Sequence, residues 1–178
     1  NTKNKTLPDG TVYGSTSTAN RPNNRLYSDS YSDTLADWAF RSWAEPLQTS
    51  GLTGTLKPTA DYLKAPAVEN FGIDSTGKTA QLDRFWNPRY NPADWPHMVT
   101  YTIGFSDDAI TWPGASSILP PTAQVPFGYD GSFPDLVTGT KTWPQMNAEN
   151  KRALDLWHAA LNGRGSFYAV NKAEDLEK

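Results

Sequence analysis

The stretch A-L-D-L-W-H-A-A-L-N-G-R-G-S-F-Y-A-V, residues 153–170, places a helix signal, a helix stop and a strand signal in immediate succession. Asn162 and Gly163 favour a helix end, because both residues tolerate a left-handed backbone. The run 166–170 is rich in strand formers and short enough to be a buried strand. The residues that recur at i, i+3, i+4, i+7 and i+8, and so predict a helix with one apolar face, are Ala153, Leu156, Trp157, Ala160 and Leu161.

Size and composition exclude several classes of protein. The chain has 178 residues, of which 37% are apolar and 20% charged, and this is compatible with one packed domain. A formal charge of −3 offers no basic field for phosphates, so we expect no nucleic-acid partner. Without cysteine the chain has no disulfide and no thiolate metal site. The sequence contains no apolar run of about eighteen residues, so we expect no transmembrane segment.

A second helix is predicted near the start of the chain. Residues 32–34 (S-D-T) can cap a helix that spans 35–45, and Pro46 ends it. Apolar residues cover most of its circumference, so we expect the helix to be largely buried. The remaining polar stripe, at i, i+4 spacing, consists of Asp37, Arg41 and Glu45.

The clearest strand is the run from Met98 to Phe105, M-V-T-Y-T-I-G-F. Its continuous β-branched and aromatic residues predict a parallel strand that is buried on both faces. Residues 1–28 are a loop-rich lead-in. The segments 48–94 and 112–146 show no sustained period, apart from a short helical turn near 81–86, and are interpreted as irregular insertions over the domain surface.

The alternation of helices and strands predicts an α/β domain with a parallel sheet and helices on its faces. Two clear strands do not make a stable sheet alone. Either the insertions hide further strands or residues outside this chain complete the sheet.

Three blocks of the sequence carry a resemblance to a known family: S-D-T-L-A-D-W-A-F-R-S-W at 32–43, N-P-A-D-W-P-H-M-V-T-Y-T-I-G-F at 91–105 and L-W-H-A-A-L-N-G-R-G-S-F-Y-A at 156–169. In content and order they resemble the PilC/PilY family of type IV pilus biogenesis proteins and tip adhesins. The resemblance implies that residues 29–178 are the later half of a von Willebrand factor A-like (Rossmann-like) domain, within a much larger protein.

The resemblance also implies a function and a location. We expect a non-catalytic protein that serves pilus biogenesis, twitching motility and surface attachment. Its expected partners are minor pilins at the pilus tip and a host or abiotic surface. The protein is expected to be exported from a Gram-negative bacterium to the pilus tip, cell surface or outer membrane.

A divalent cation, Mg²⁺ or Ca²⁺, is implied by the A-like fold, which holds it with a D-x-S-x-S loop, a Thr and a further Asp. This sequence has no D-x-S-x-S, so residues outside the chain are expected to form most of that site. The weak local candidates are Asp9, in a Pro-Asp-Gly turn, and Asp107 and Asp108, which follow the predicted strand. For Asp9 the competing interpretation is a simple turn, and for Asp107 and Asp108 it is a solvated pair of loop residues.

Catalytic chemistry has little support in the sequence. The two histidines, His97 and His158, are not next to a Ser nucleophile or in a metalloprotease pattern. We expect His97 to hydrogen-bond a loop carbonyl and His158 to satisfy a buried polar group. The N-G-R-G segment at 162–165 follows a helix instead of opening one, so it is not expected to bind phosphate.

The tryptophans of the irregular segments motivate a rival function. If exposed, they could stack on sugars or on a protein partner; the other interpretation is that they anchor the loops to the core. Exposed rings would suit a secreted carbohydrate-binding module or carbohydrate-active enzyme, although no pair of carboxylates stands out by spacing. These candidate binding residues are Trp86, Trp95, Trp112 and Trp143.

Overall fold

The computed structural model describes residues 5–14, 25–105 and 133–170, together with 172 and 174. The predicted sites Asp107, Asp108 and Trp112 lie outside these residues. No helix in the described part of the chain combines the length and the apolar character needed to cross a membrane. The helices are α1 (Leu35–Ala44), α2 (Ala60–Lys64), α3 (Phe133–Thr138) and α4 (Arg152–Asn162), with 3-10 turns at Arg25–Tyr27 and Glu149–Lys151.

The described strands form three two-stranded sheets. The first two sheets are antiparallel hairpins, β1 with β2 and β3 with β4, and the third pairs β5 with β6 in parallel. The mixed helices and strands and the parallel pair agree with the predicted α/β class, although the parallel sheet has only two strands within the described residues. The strands are β1 (Lys5–Thr6), β2 (Val12–Tyr13), β3 (Val68–Ile73), β4 (Thr79–Asp83), β5 (Thr100–Phe105) and β6 (Arg164–Val170).

Helix α1 begins and ends as predicted. Thr34 accepts a hydrogen bond from the Asp37 amide, and the Asp37 carboxylate accepts one from the Thr34 amide, which completes a capping box. The expected burial on most sides is wrong. Trp38 is 54% exposed and Leu35 is also exposed, because α1 packs against α4 through one face only. That face consists of Ala36, Ala39, Phe40, Trp43 and Ala44.

Helix α4 lies between α1 and the parallel sheet, with which it also packs. The Thr102 hydroxyl of β5 donates to the Leu156 carbonyl at 2.7 Å. Burial of both its sides explains why most of α4 from Trp157 onward is inaccessible to solvent. The predicted helix and the strand that follows it are therefore confirmed.

Helix α4 ends at Asn162 with Gly163 as its C-cap, where the sequence predicted a stop, but the left-handed residue is not Gly163. Gly163 has φ −89°, whereas Arg164 has the left-handed φ of 58°. The two glycines instead allow the backbone at residues 163–165 to lie very close to Thr100. A Cβ on Gly163 would lie 2.4 Å from the Thr100 Cβ, and one on Gly165 would lie 2.2 Å from the Thr100 carbonyl oxygen. Residues without a side chain are therefore required where β6 begins beside β5.

In this structure strand β5 is covered on one face only, which differs from the predicted burial of both faces. Thr102 and Gly104 are buried on the side of α4. Tyr101, Ile103 and Phe105 alternate with them and are 65%, 53% and 63% exposed. We call these three residues the β5 strip.

The segment 48–94 is more regular than predicted. It contains α2 and the β3–β4 hairpin, and residues 81–83 of the expected helical turn belong to β4. Ala80 and Leu82 alternate inward, while Phe71 packs against Phe133 of α3 with ring centroids 5.1 Å apart. The hairpin is therefore part of the core, and α3 is a regular element inside the other predicted insertion, 112–146.

Candidate functional site

Three of the four tryptophans predicted as binding residues are buried in the core. Trp86, Trp95 and Trp143 are only 2%, 5% and 3% exposed. Two of their indole N–H groups donate to backbone carbonyls at 2.7 Å: Trp95 to Trp43 and Trp143 to Leu26. Of the two interpretations that the sequence left open, these three residues follow the second, in which the rings anchor their loops to the core. Among the described tryptophans, Trp38 alone presents an exposed ring.

The buried ring cluster surrounds Arg164, a residue to which the sequence pattern assigned only a turn. Its guanidinium carbon lies 4.4 Å from the ring centroid of Trp43, 4.8 Å from Tyr27 and 5.7 Å from Trp86. Nη1 donates to the Asn87 carbonyl at 3.2 Å. Burial lowers the pKa of Arg164, while neighbouring Tyr27 and Asp83 oppose that shift. Cation–π attraction stabilises this buried charge and joins β6 to α1 and to the segment that follows β4.

His158 is a buried packing residue. Its ring stacks on Trp143 with centroids 4.0 Å apart and planes at 14°. Nδ1 lies 3.6 Å from Asp29 Oδ2, but burial lowers the pKa of His158 to about 3, so the imidazole is neutral at neutral pH. Because the ring is buried, a substrate cannot reach it.

His97 forms the loop contact that was predicted for it. Nδ1 lies 2.7 Å from the Trp95 carbonyl and Nε2 lies 2.7 Å from Asn91 Nδ2. The Asn91 side-chain oxygen already accepts from Trp43 Nε1 and from the Ala93 amide, which fixes the orientation of the amide. Nδ1 of His97 is therefore the donor and Nε2 the acceptor. Both nitrogens are occupied, and neither is available to a metal ion or substrate.

Asp9, the candidate metal ligand that lies within the described residues, has no group of metal-binding partners there. Asp9 is exposed, and its Oδ1 accepts from the Thr11 amide at 2.9 Å, as expected for an Asp in a turn. Within the described residues, no three His, Asp or Glu side chains are grouped so that they could hold a metal ion. A cation site formed mainly by residues outside this chain stays a prediction.

A match to the P-loop pattern occurs at residues 72–79, G-I-D-S-T-G-K-T. In the structure this segment joins β3 to β4, so no helix follows it. Asp74 Oδ1 accepts from the amides of Thr76 and Lys78, and Asp135 Oδ1 accepts from the amide of Ser75. Carboxylates thus occupy the N–H groups that a phosphate would need, and the match does not indicate a nucleotide site.

Comparison with curated proteins shows to which family the chain is related. It is 33% identical over 183 residues to type IV pilus biogenesis factor PilY1 of Pseudomonas aeruginosa strain UCBPP-PA14, an alignment that covers 98% of this chain. The protein of the same name from strain PAK is 32% identical over 177 residues and 97% of the chain. The chain belongs to the PilC/PilY family.

The chain spans only 12–13% of the length of these relatives. No protein-family model matches it. No solved structure matches it.

The histidines and three indoles of this PilC/PilY chain are used in packing. Candidate contact surfaces in the described part of the chain include three features. The first is the apolar β5 strip, and the second is the exposed pair Leu35 and Trp38 on α1. The third, which we call the α4 groove, is a cavity of about 710 Å³ lined mainly by Met146, Asn147, Glu149, Arg152, Asp155 and Leu156. These are surfaces suited to binding a macromolecule.

Proposed function

We propose that this chain is part of a type IV pilus biogenesis factor that acts through protein contacts and without catalysis. The observation that carries the proposal is the alignment of 98% of the chain with a protein named for that role. The packing of His158 in the core, the two hydrogen bonds of His97 and the carboxylate-filled hairpin turn are consistent with a scaffold. The finer role we propose is that of an exported, non-catalytic tip adhesin at the bacterial surface, in contact with minor pilins and a host or abiotic surface.

We further propose that the described elements are the later half of a von Willebrand factor A-like domain. Strands β5 and β6 run parallel, and α4, which directly precedes β6, packs on one face of the pair; this arrangement supports the placement. Parallel sheets are normally covered on both faces, yet the β5 strip is open to solvent. In this proposal further strands and a covering helix belong to the same polypeptide outside this chain, together with any Mg²⁺ or Ca²⁺ site.

The function is tested by gene replacement in a bacterium with type IV pili. Deletion of the gene that encodes this protein should strongly reduce surface pili and twitching motility, and reintroduction should restore both. Reintroduction of a copy without residues 29–170 should fail to restore them. Normal piliation in the deletion strain, with related genes absent, would refute the proposal.

The carbohydrate-binding alternative is left with Trp38 as the exposed indole in the described part of the chain. A glycan array separates it from the pilus role. Binding that disappears in Trp38→Ala, without any dependence on pilus components, would favour the alternative. Absence of glycan binding alongside a piliation defect would favour the pilus role.

A further inference from the structure

The α4 groove contains a carboxylate that has no partner among the described residues. Asp155 lies in the first turn of α4 and is half-buried. Within the described residues the Asp155 side chain makes no hydrogen bond and no ion pair. Lys151 is close to it in sequence, but its ammonium donates to the Gln145 carbonyl at 3.1 Å and to Asn147 Oδ1 at 3.2 Å. Burial raises the pKa of Asp155, and the negative charge of Asp29 raises it further. A cation in the groove would relieve both effects.

The other charges of the groove largely cancel. Arg152 Nε lies 2.8 Å from Glu149 Oε2, and both side chains are mostly exposed at the rim. Once this pair is counted as neutral, Asp155 leaves the groove with a net negative charge. The walls are different in character, because Met146 and Leu156 are partly buried apolar residues that pack on the core.

A basic side chain fits this combination. Arginine and lysine carry an apolar stem that packs along hydrocarbon and a charged head that seeks a carboxylate. The volume of about 710 Å³ accommodates such a side chain together with water. We propose that the α4 groove receives an arginine or lysine side chain of a protein partner, with Asp155 as the counter-charge and Met146 and Leu156 against the stem. This inference rests on the proposed function only in that the partner is a protein.

Isothermal titration of the chain with N-acetyl-arginine amide tests the groove, and the neutral isostere N-acetyl-citrulline amide is the matched probe. We expect the arginine compound to bind at least about tenfold more tightly, since only it can form a charge-assisted hydrogen bond with Asp155. Asp155→Asn should abolish this preference. Asp61→Asn removes the same charge from an exposed position outside the groove, and it should leave the preference intact.

Equal binding of both compounds to the wild-type chain would overturn the proposal. So would an Asp155→Asn variant that is folded by circular dichroism and keeps the preference. Self-association of the wild-type chain that Asp155→Asn abolishes would instead identify a second copy as the occupant. If the titration shows no preference for the arginine compound and the deletion strain has a piliation defect, the groove proposal is rejected and the proposed function stands. If the titration shows the preference and the deletion strain is normally piliated, only the proposed function is rejected.

Discussion

At the scale of single residues, the conspicuous polar side chains of this chain serve the core. Arg164 is held by three aromatic rings, and His97 is fixed by Asn91 and the Trp95 carbonyl. Each of them has a chemistry that could serve a site, but Arg164 joins segments distant in sequence and His97 fixes the loop that carries it. Residue type alone therefore could not distinguish a functional site from a structural contact inside the protein.

His158 makes stability depend on pH. Its pKa is lowered by burial to about 3 from an ordinary value of 6.5, so the unfolded chain binds this proton more readily. Its contribution is complete above about pH 6.5 and is lost as the pH falls towards 3, at about 1.4 kcal/mol per pH unit. Urea unfolding should therefore show about 2 kcal/mol less stability at pH 5 than at pH 7 from this residue.

The variant His158→Gln tests that assignment. It is expected to be less stable at pH 7, because it loses the stacking on Trp143, and to show a smaller loss between pH 7 and pH 5. The carboxylates with lowered pKa values among the described residues, Asp74, Asp135 and Glu45, affect stability mainly below that range. An unchanged pH slope in His158→Gln would show that another group is responsible.

At the scale of elements, two contacts position the core. In the first, Asp74 in the β3–β4 turn accepts hydrogen bonds at Oδ2 from Thr138 and Thr140 near the end of α3, both at 2.7 Å. Burial opposes ionisation of Asp74, but these bonds and those from Thr76 and Lys78 lower its pKa well below the ordinary value. The hairpin is thus fastened to α3, although a long segment separates them in sequence.

The second contact is the start of β6, where Gly165 should not tolerate a side chain. Its Cβ would lie 2.2 Å from a backbone oxygen of Thr100, and backbone cannot move aside without disturbing β5. We expect Gly165→Ala to lower the free energy of unfolding by about 1–3 kcal/mol, measured by urea denaturation. Ser166→Ala, at the next and half-buried position, should change it by less than about 0.5 kcal/mol. Equal effects of the two substitutions would contradict the close approach.

At the scale of the molecule, local sequence signals predicted where helices and strands lie better than they predicted which side chains are buried. The S-D-T cap and Pro46 are local, and they placed α1 correctly. The β3–β4 hairpin was missed because its inward alternation is brief and lies among Gly, Thr and Lys. Burial of Trp86, Trp95 and Trp143, like the open face of β5, depends on which distant segments pack nearby. No sequence spacing reports that, so the sequence left open whether these indoles bind a partner or anchor their loops to the core.

The central claim at this scale is that the β5 strip is covered by more of the same polypeptide when the whole domain is present. A single introduced cysteine tests it directly, because the chain itself has none. Ile103 lies in the strip, and Ile73, at 67% exposed on the hairpin, is the matched control. Maleimide labelling is followed by mass spectrometry of the modified peptide in the longer native protein.

In the native protein, Ile103→Cys should react at least about tenfold more slowly than Ile73→Cys, because burial excludes the reagent except during local opening. In urea the two cysteines should react at similar rates. If Ile103→Cys in the folded longer protein reacts as fast as Ile73→Cys, the strip is not covered and the proposed A-like sheet is contradicted.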